Sequence, residues 1–319
     1  MKEYGGYLEA ERYRGTAYHQ GLLRVNTARN AILLAVQHRG YKKLHMPLYL
    51  CDSVPDRLAG HAGAAFYHIN EALEPVGVGQ LPPGEALLLV NYFGMYDSRT
   101  LEDMGRRYGS VIVDNTQAFF ARPVQGMDTV YSCRKYFGVT DGAYLAADGL
   151  SLDGLEQGRS AEHLDYLFGR FEDTAQAHFA QFHQNEERLD REGPRRMSAI
   201  TENLLSGIDY AGVQAARHRN YQLFRERLDG VNELDAGRFS GDFMYPLLHR
   251  AGAALKKHLI AERIYTPTLW PNVLTLTDAP WERRLAEELV LLPIDQRYGP
   301  EDISAMAGAV ETFLRGKEV

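Results

Sequence analysis

Residues 85–117 read EALLLVNYFGMYDSRTLEDMGRRYGSVIVDNTQ, and this stretch decides the fold class. Positions 86–90 form an apolar run with no alternation, the pattern of a strand buried on both faces. Positions 98–108 then mix charged with periodic apolar residues and stop at Gly109, which predicts a helix. Positions 111–114 are again short and apolar. A strand, a helix and a strand in immediate succession form a crossover unit whose strands lie parallel in one sheet.

The alternation continues on both sides. TARNAILLAVQHRG (27–40) predicts a helix ended by Gly40, KKLHMPLYL (42–50) a strand, and DSVPDRLAGHA (52–62) a helix with Pro55 in its first turn. AAFYHIN (64–70), DTVYSC (128–133) and GAYLAAD (142–148) predict further strands. Residues 160–228 are helical and charged, broken by GPRR (193–196), with Ser198 as an N-cap. Beyond residue 230 come a strand in GDFMYPLLH (241–249), a helix in 251–264, a strand in LVLLPI (289–294) and a closing helix started by Pro300. The expected organisation is a large α/β domain over 1–190, a helical connection over 191–229 and a small α+β domain over 230–319.

Composition narrows the functional classes. The 319 residues are 45% hydrophobic and 24% charged, enough for a large core. A formal charge of -7 and the lack of any basic run give no footprint for nucleic acid. No apolar stretch reaches the roughly 18 residues of a membrane span, and the polar start predicts no secretory signal. Two cysteines, Cys51 and Cys133, without CxxC or HExxH spacing, give neither a disulfide framework nor a metal site and point to a cytoplasmic protein.

Ligands of such sheets bind at the carboxyl ends of the strands, where Asn91, Asp114, Gln117 and Ser132 fall. Asp114 admits two readings: a turn residue in DNT, or a carboxylate paired with a cation such as a pyridinium nitrogen. Lys135, in SCRKYFGVTDG (132–142), is either solvated or an amine whose pKa is depressed by Arg134 and desolvation, as an aldehyde-binding lysine needs. Thr27, Ala28 and Arg29 open the first helix, a ready anion site, and Ser132 adds a hydroxyl. Carboxylate, lysine and anion site together describe pyridoxal 5'-phosphate (PLP), while no GxGxxG or GxxxxGK[ST] points to a nucleotide.

NTARNAI (26–32), LHMPLYLCDSV (44–54), VIVDNTQAFF (111–120), YSCRKYFGVTDGAY (131–144) and LLPIDQRYGPEDI (291–303) resemble the DegT/StrS-type sugar aminotransferases. The resemblance implies the fold-type I PLP-dependent transferase architecture: a three-layer, mainly parallel sheet domain and a smaller C-terminal α+β domain. By matching position it makes Lys135 the residue covalently joined to the cofactor aldehyde and Asp114 the partner of the ring nitrogen. Gln117 would stand near the phenolic oxygen, and Ser132, Thr27, Ala28 and Arg29 around the phosphate. Tyr49 is the nearest match to the aromatic that stacks on the ring, while Cys51 stands where an ungapped alignment puts it. Lys135 follows Ser132 by three residues rather than the usual five, an RKxFGVxDG form that marks a sub-branch. GPRRMSAITENLL (193–205) stands where the family sends a segment into the partner's site, with Arg196 where an asparagine is commoner, so a homodimer with shared active sites is implied. The implied reaction moves an amino group from an amino acid, glutamate by default, to a keto-sugar, often nucleotide-linked. A PLP-dependent sugar dehydratase and a PLP-fold binding protein without turnover are the alternatives.

Overall fold

A computed structural model describes residues 4–316. In chain order the elements are β1 (Leu23–Val25), α1 (Ala28–Arg39), β2 (Lys43–Pro47), α2 (Ser53–Leu58), β3 (Gly63–Ile69), β4 (Pro75–Val76), β5 (Glu85–Val90), α3 (Ser98–Tyr108), β6 (Val111–Asp114), β7 (Asp128–Ser132) and β8 (Ala143–Ala146). There follow α4 (Asp165–Glu172), α5 (Phe179–Arg191), α6 (Ala199–Ser206), α7 (Tyr210–Leu228), β9 (Met244–Leu248), α8 (Gly252–Ala261), α9 (Val273–Leu276), α10 (Pro280–Glu288), β10 (Leu289–Pro293) and α11 (Pro300–Arg315).

The eight-stranded sheet runs β1-β8-β7-β6-β5-β2-β3-β4. From β7 across to β3 every pairing is parallel, and the outer strands β8, β1 and β4 pair antiparallel. This is the mainly parallel α/β sheet that residues 85–117 predict. The centre is fully dry: Ala86, Leu87, Leu88 and Leu89 of β5 are at most 1% exposed, so both faces of the strand are covered.

Local chemistry fixes the elements beside the site. Thr27 is the N-cap of α1, its side chain accepting from the Asn30 N–H, and Gly40 ends the helix in the left-handed region at φ 68°. Ser198 caps α6 by accepting from the Thr201 N–H, as the sequence predicts. A second apolar cluster joins Tyr221, Phe224 and Leu228 of α7 to β9, β10, α8 and α11. No helix among the described residues is long and apolar enough to cross a membrane.

Candidate active site

The lysine segment is a short 3-10 turn, Cys133–Lys135, directly after β7. The N–H groups of Tyr136 and Phe137 both donate to the Cys133 carbonyl at 3.0 Å, and the Cys133 N–H donates to Gly142 O at 3.1 Å. Gly142 sits at φ 117°, and a Cβ there would stand 2.9 Å from Thr201 Cγ2, so glycine is required. Gly138 carries no such constraint, since its nearest neighbour would be Leu167 Cδ2 at 3.9 Å. Asp141, 2% exposed, accepts from the Ser198 N–H at 2.8 Å, Ser198 Oγ at 2.7 Å, Ser160 Oγ at 3.1 Å and Thr201 Oγ1. The TDG of the motif therefore pins the start of α6 to the lysine turn.

Asp114 and Lys135 come close enough to act on each other electrostatically because β6 and β7 are parallel neighbours, with Asp114 opposite Val130, so both chains leave the same edge of the sheet. Asp114 is 5% exposed and takes the Thr116 N–H at 2.9 Å. Burial raises its pKa above the usual carboxylate range, against the pull of the Thr116 hydrogen bonds and the Lys135 charge. Lys135 is exposed by surface area, but that surface borders a cleft and its amine is crowded by surrounding protein atoms. Burial lowers its pKa first, then the charges of Arg134 and Arg29, while Cys51 and Asp114 pull upward. A lysine held toward its neutral form beside a carboxyl that lacks a strong cationic partner suits an aldehyde carried on a basic ring.

The start of α1 lies near this pair. Arg29 acts electrostatically on Lys135, and its side chain is paired with Asp190 at the end of α5. Arg57 donates to Asp190 O at 2.6 Å and Glu192 O at 3.0 Å, and Arg134 pairs with Glu186. Three arginines thus gather at a helix N-terminus, the chemistry of a phosphate site, with α5 carboxylates holding two of them. Residues 193–195 cross the same helix start: Asn26 Nδ2 donates to Gly193 O at 3.0 Å, and the Asn26 N–H donates to Arg195 O at 3.0 Å. The Arg196 side chain is exposed, while its backbone bridges Val25 and Gln157.

The remaining expected residues divide. Ser132 ends β7, 7% exposed and opposite Ala143. Gln117 accepts the Phe93 N–H on Oε1 at 3.0 Å, and Phe93 itself sits in the left-handed region at φ 53°. A backbone N–H can only donate, so the contact orients the amide oxygen toward Phe93 and the NH2 away from it. Tyr49 is 1% exposed, its ring packed against Tyr92 and, edge-on at 4.6 Å, against Trp270. Cys51, two residues on, reaches Lys135 electrostatically and has Ser53 Oγ at 3.1 Å.

Beyond Lys135 opens a cleft of about 860 Å³, bounded by Tyr136, Arg170, Phe243, Arg263 and Tyr265 among others. Two of its residues carry no sequence signal. Arg217 lies in the charged run AARHRNY, which reads as a solvated helix face, yet it is 2% exposed. Gln296 lies in the turn of PIDQRY. Arg297, one residue on, is exposed but engaged by Asp295 through bonds of 2.7 and 2.9 Å.

No family model and no curated protein matches the chain. Solved structures do. A DegT DnrJ EryC1 StrS aminotransferase from Brucella abortus is 17% identical with a TM-score of 0.63, over 92% of this chain and 85% of that one. The sugar aminotransferase CalS13 from Micromonospora echinospora is 14% identical with a TM-score of 0.63, over 91% and 87%. The Spr1654 protein from Streptococcus pneumoniae in its PLP-form is 12% identical with a TM-score of 0.59, over 91% and 86%. At these identities the likeness establishes architecture, and the chain has the fold of the fold-type I aminotransferases.

Proposed function

We propose that the protein is a PLP-dependent aminotransferase that moves an amino group from an amino acid, glutamate by default, to a keto-sugar. The observation that carries this reading is the buried Asp114 beside the depressed Lys135 at adjacent strand ends, in a fold shared with sugar aminotransferases. PLP, when bound, supplies an electron sink for the carbon that loses and regains a proton. Lys135 would hold the aldehyde covalently, and its amine, when free, is the base that would move a proton at the reacting carbon. Asp114 would keep the ring nitrogen protonated, and a pyridinium cation against it would draw its raised pKa back down. The Gln117 NH2 group serves the phenolic oxygen. Ser132, Thr27, Ala28 and Arg29 would hold the phosphate, for which Arg29 would have to exchange its pairing with Asp190.

A nucleotide-linked sugar is supported by Arg170 and Arg263, which border the cleft without a salt bridge among the described residues. The exposed Arg196 suits a homodimer in which it reaches the partner's phosphate, and two free cysteines suit the cytoplasm. The large domain over 1–190 and the small one over 230–319 would form the two walls of the cleft. The test is spectroscopic. Protein mixed with PLP should show the visible band of a lysine-bound aldehyde, Lys135→Ala should lack it, and glutamate should convert it to the pyridoxamine form. Absence of the band in the wild-type protein sinks the PLP reading, and a band unmoved by glutamate and other amino acids sinks transamination.

A further inference from the structure

Arg217 is a charged side chain buried, among the described residues, without a carboxylate at bonding distance. Its Nη2 donates to Tyr136 O at 3.1 Å, its Nη1 to Asp242 O at 2.9 Å and Phe243 O at 3.2 Å, and its Nε to Gln296 Oε1 at 2.9 Å. Gln296 closes the ring by donating from Nε2 to the same Tyr136 carbonyl at 3.0 Å. The guanidinium also lies over the Tyr136 ring, 4.7 Å from its centroid. Tyr136 is the residue after Lys135, and its own N–H closes the 3-10 turn on Cys133.

A guanidinium with four of its five N–H donors engaged, three on backbone carbonyls and one on the Gln296 amide, is poorly placed to make a bidentate pair with a substrate carboxylate. Its work is positional. We propose that Arg217 and Gln296 are positioning residues that grip the lysine turn by the Tyr136 carbonyl, so that the Lys135 amine is held in the cleft and its placement depends on the segments carrying Asp242, Phe243 and Gln296. One carbonyl with two donors uses both lone pairs, and the Arg217–Gln296 bond fixes the amide so that it can only donate to Tyr136. Lysine cannot replace arginine here, because an ammonium cannot span three carbonyls and an amide in one plane.

This inference rests on Lys135 as the covalent anchor. Its test uses cofactor-free protein, so it stays readable if PLP fails to bind. Competitive acetylation with acetic anhydride across pH, read by mass spectrometry, gives the titration midpoint of Lys135. The groups facing that amine are Arg134, Arg29, Cys51 and Asp114, and none is altered in the variants. Arg217→Lys and Gln296→Leu should each move the midpoint upward by about one pH unit, a tenfold change in the neutral fraction, as the released lysine leaves the crowded position near Arg134 and Arg29. Arg227→Gln, on the same helix as Arg217, breaks a surface pair with Glu311 of α11 and should lower thermal stability while leaving the midpoint alone. Unchanged midpoints in folded Arg217→Lys and Gln296→Leu overturn the proposal, as does an equal shift in Arg227→Gln. If Arg217→Lys does not fold, Gln296→Leu decides alone, because it removes one donor from Tyr136 and leaves three of the guanidinium bonds in place.

Discussion

Asp141 offers the sharpest structural prediction, because its four acceptor bonds can be counted. Replacing it by alanine strands the Ser198 N–H, a buried donor with no freedom to turn elsewhere, at about 1–3 kcal/mol. The Ser198, Ser160 and Thr201 hydroxyls lose a charged acceptor, but Ser160 Oγ already donates to Ser198 Oγ at 2.8 Å and can stay satisfied. At about 1 kcal/mol net for each of the two remaining hydroxyl bonds, whose rotors can turn to other acceptors, the total comes to about 3–5 kcal/mol. Asparagine keeps the shape and one oxygen, and its NH2 meets hydroxyl lone pairs, so it should cost about 1–2 kcal/mol. At roughly 2 °C per kcal/mol for a chain of this size, Asp141→Ala should lower Tm by about 6–10 °C and Asp141→Asn by about 2–4 °C. Differential scanning calorimetry on cofactor-free protein measures both. An alanine variant within about 2 °C of wild type would refute the accounting, and an asparagine variant as damaged as alanine would mean that charge rather than acceptor count holds α6.

Two other substitutions test the site from different directions. Burial raises the folded-state pKa of Asp114, so the native protein holds this proton more tightly than the unfolded chain. Its favourable contribution is full below the unfolded value of about 3.9 and is lost as pH rises toward the folded one. Cofactor-free Asp114→Asn should therefore match wild type near pH 3, melt higher at pH 7, and bind PLP more weakly; a lower melting point at pH 7 contradicts the desolvation argument. Gly142→Ala combines a left-handed φ with a 2.9 Å approach to Thr201 and should destabilise by about 2–4 kcal/mol, whereas Gly138→Ala should fall within about 0.5 kcal/mol. Urea melts of the two alanine variants compare them directly, and equal midpoints would remove the special status of Gly142.

The parts of the molecule that were readable from sequence are those set by local rules. The α1 helix, with Thr27 before it and Gly40 after it, needs only capping chemistry and apolar period. The dry run of β5 needs only its composition. Asp114 and Lys135 stand out because charged residues at the ends of apolar strands require an explanation. β1 escaped because three residues, LRV, carry no period, and their pairing with β8 exists only in the folded sheet. α10 escaped because its charged sequence PWERRLAEE buries Glu282, which takes the Ile69 N–H at 3.0 Å from across the molecule. Arg217 and Gln296 were hidden for the same reason: an arginine in a helix looks solvated until the carbonyls it serves, far away in the chain, are folded around it.

The placement of α7 governs which pieces of this chain can be exchanged with those of relatives. Its first half contributes Val213 to the core under the large sheet, while Tyr221, Phe224 and Leu228 lie in the second cluster with β9 and α11. A crossover placed at residue 230, where the loop pattern changes, would separate those three side chains from the surface that covers them. Each would expose apolar area worth about 1.5–3 kcal/mol, and Arg217 would face carbonyls of foreign geometry. A hybrid that crosses before Tyr210 keeps the helix, strands β9 and β10 and the Gln296 turn as one inherited block, and leaves the Tyr136 carbonyl and the packing of Val213 as the contacts to be matched.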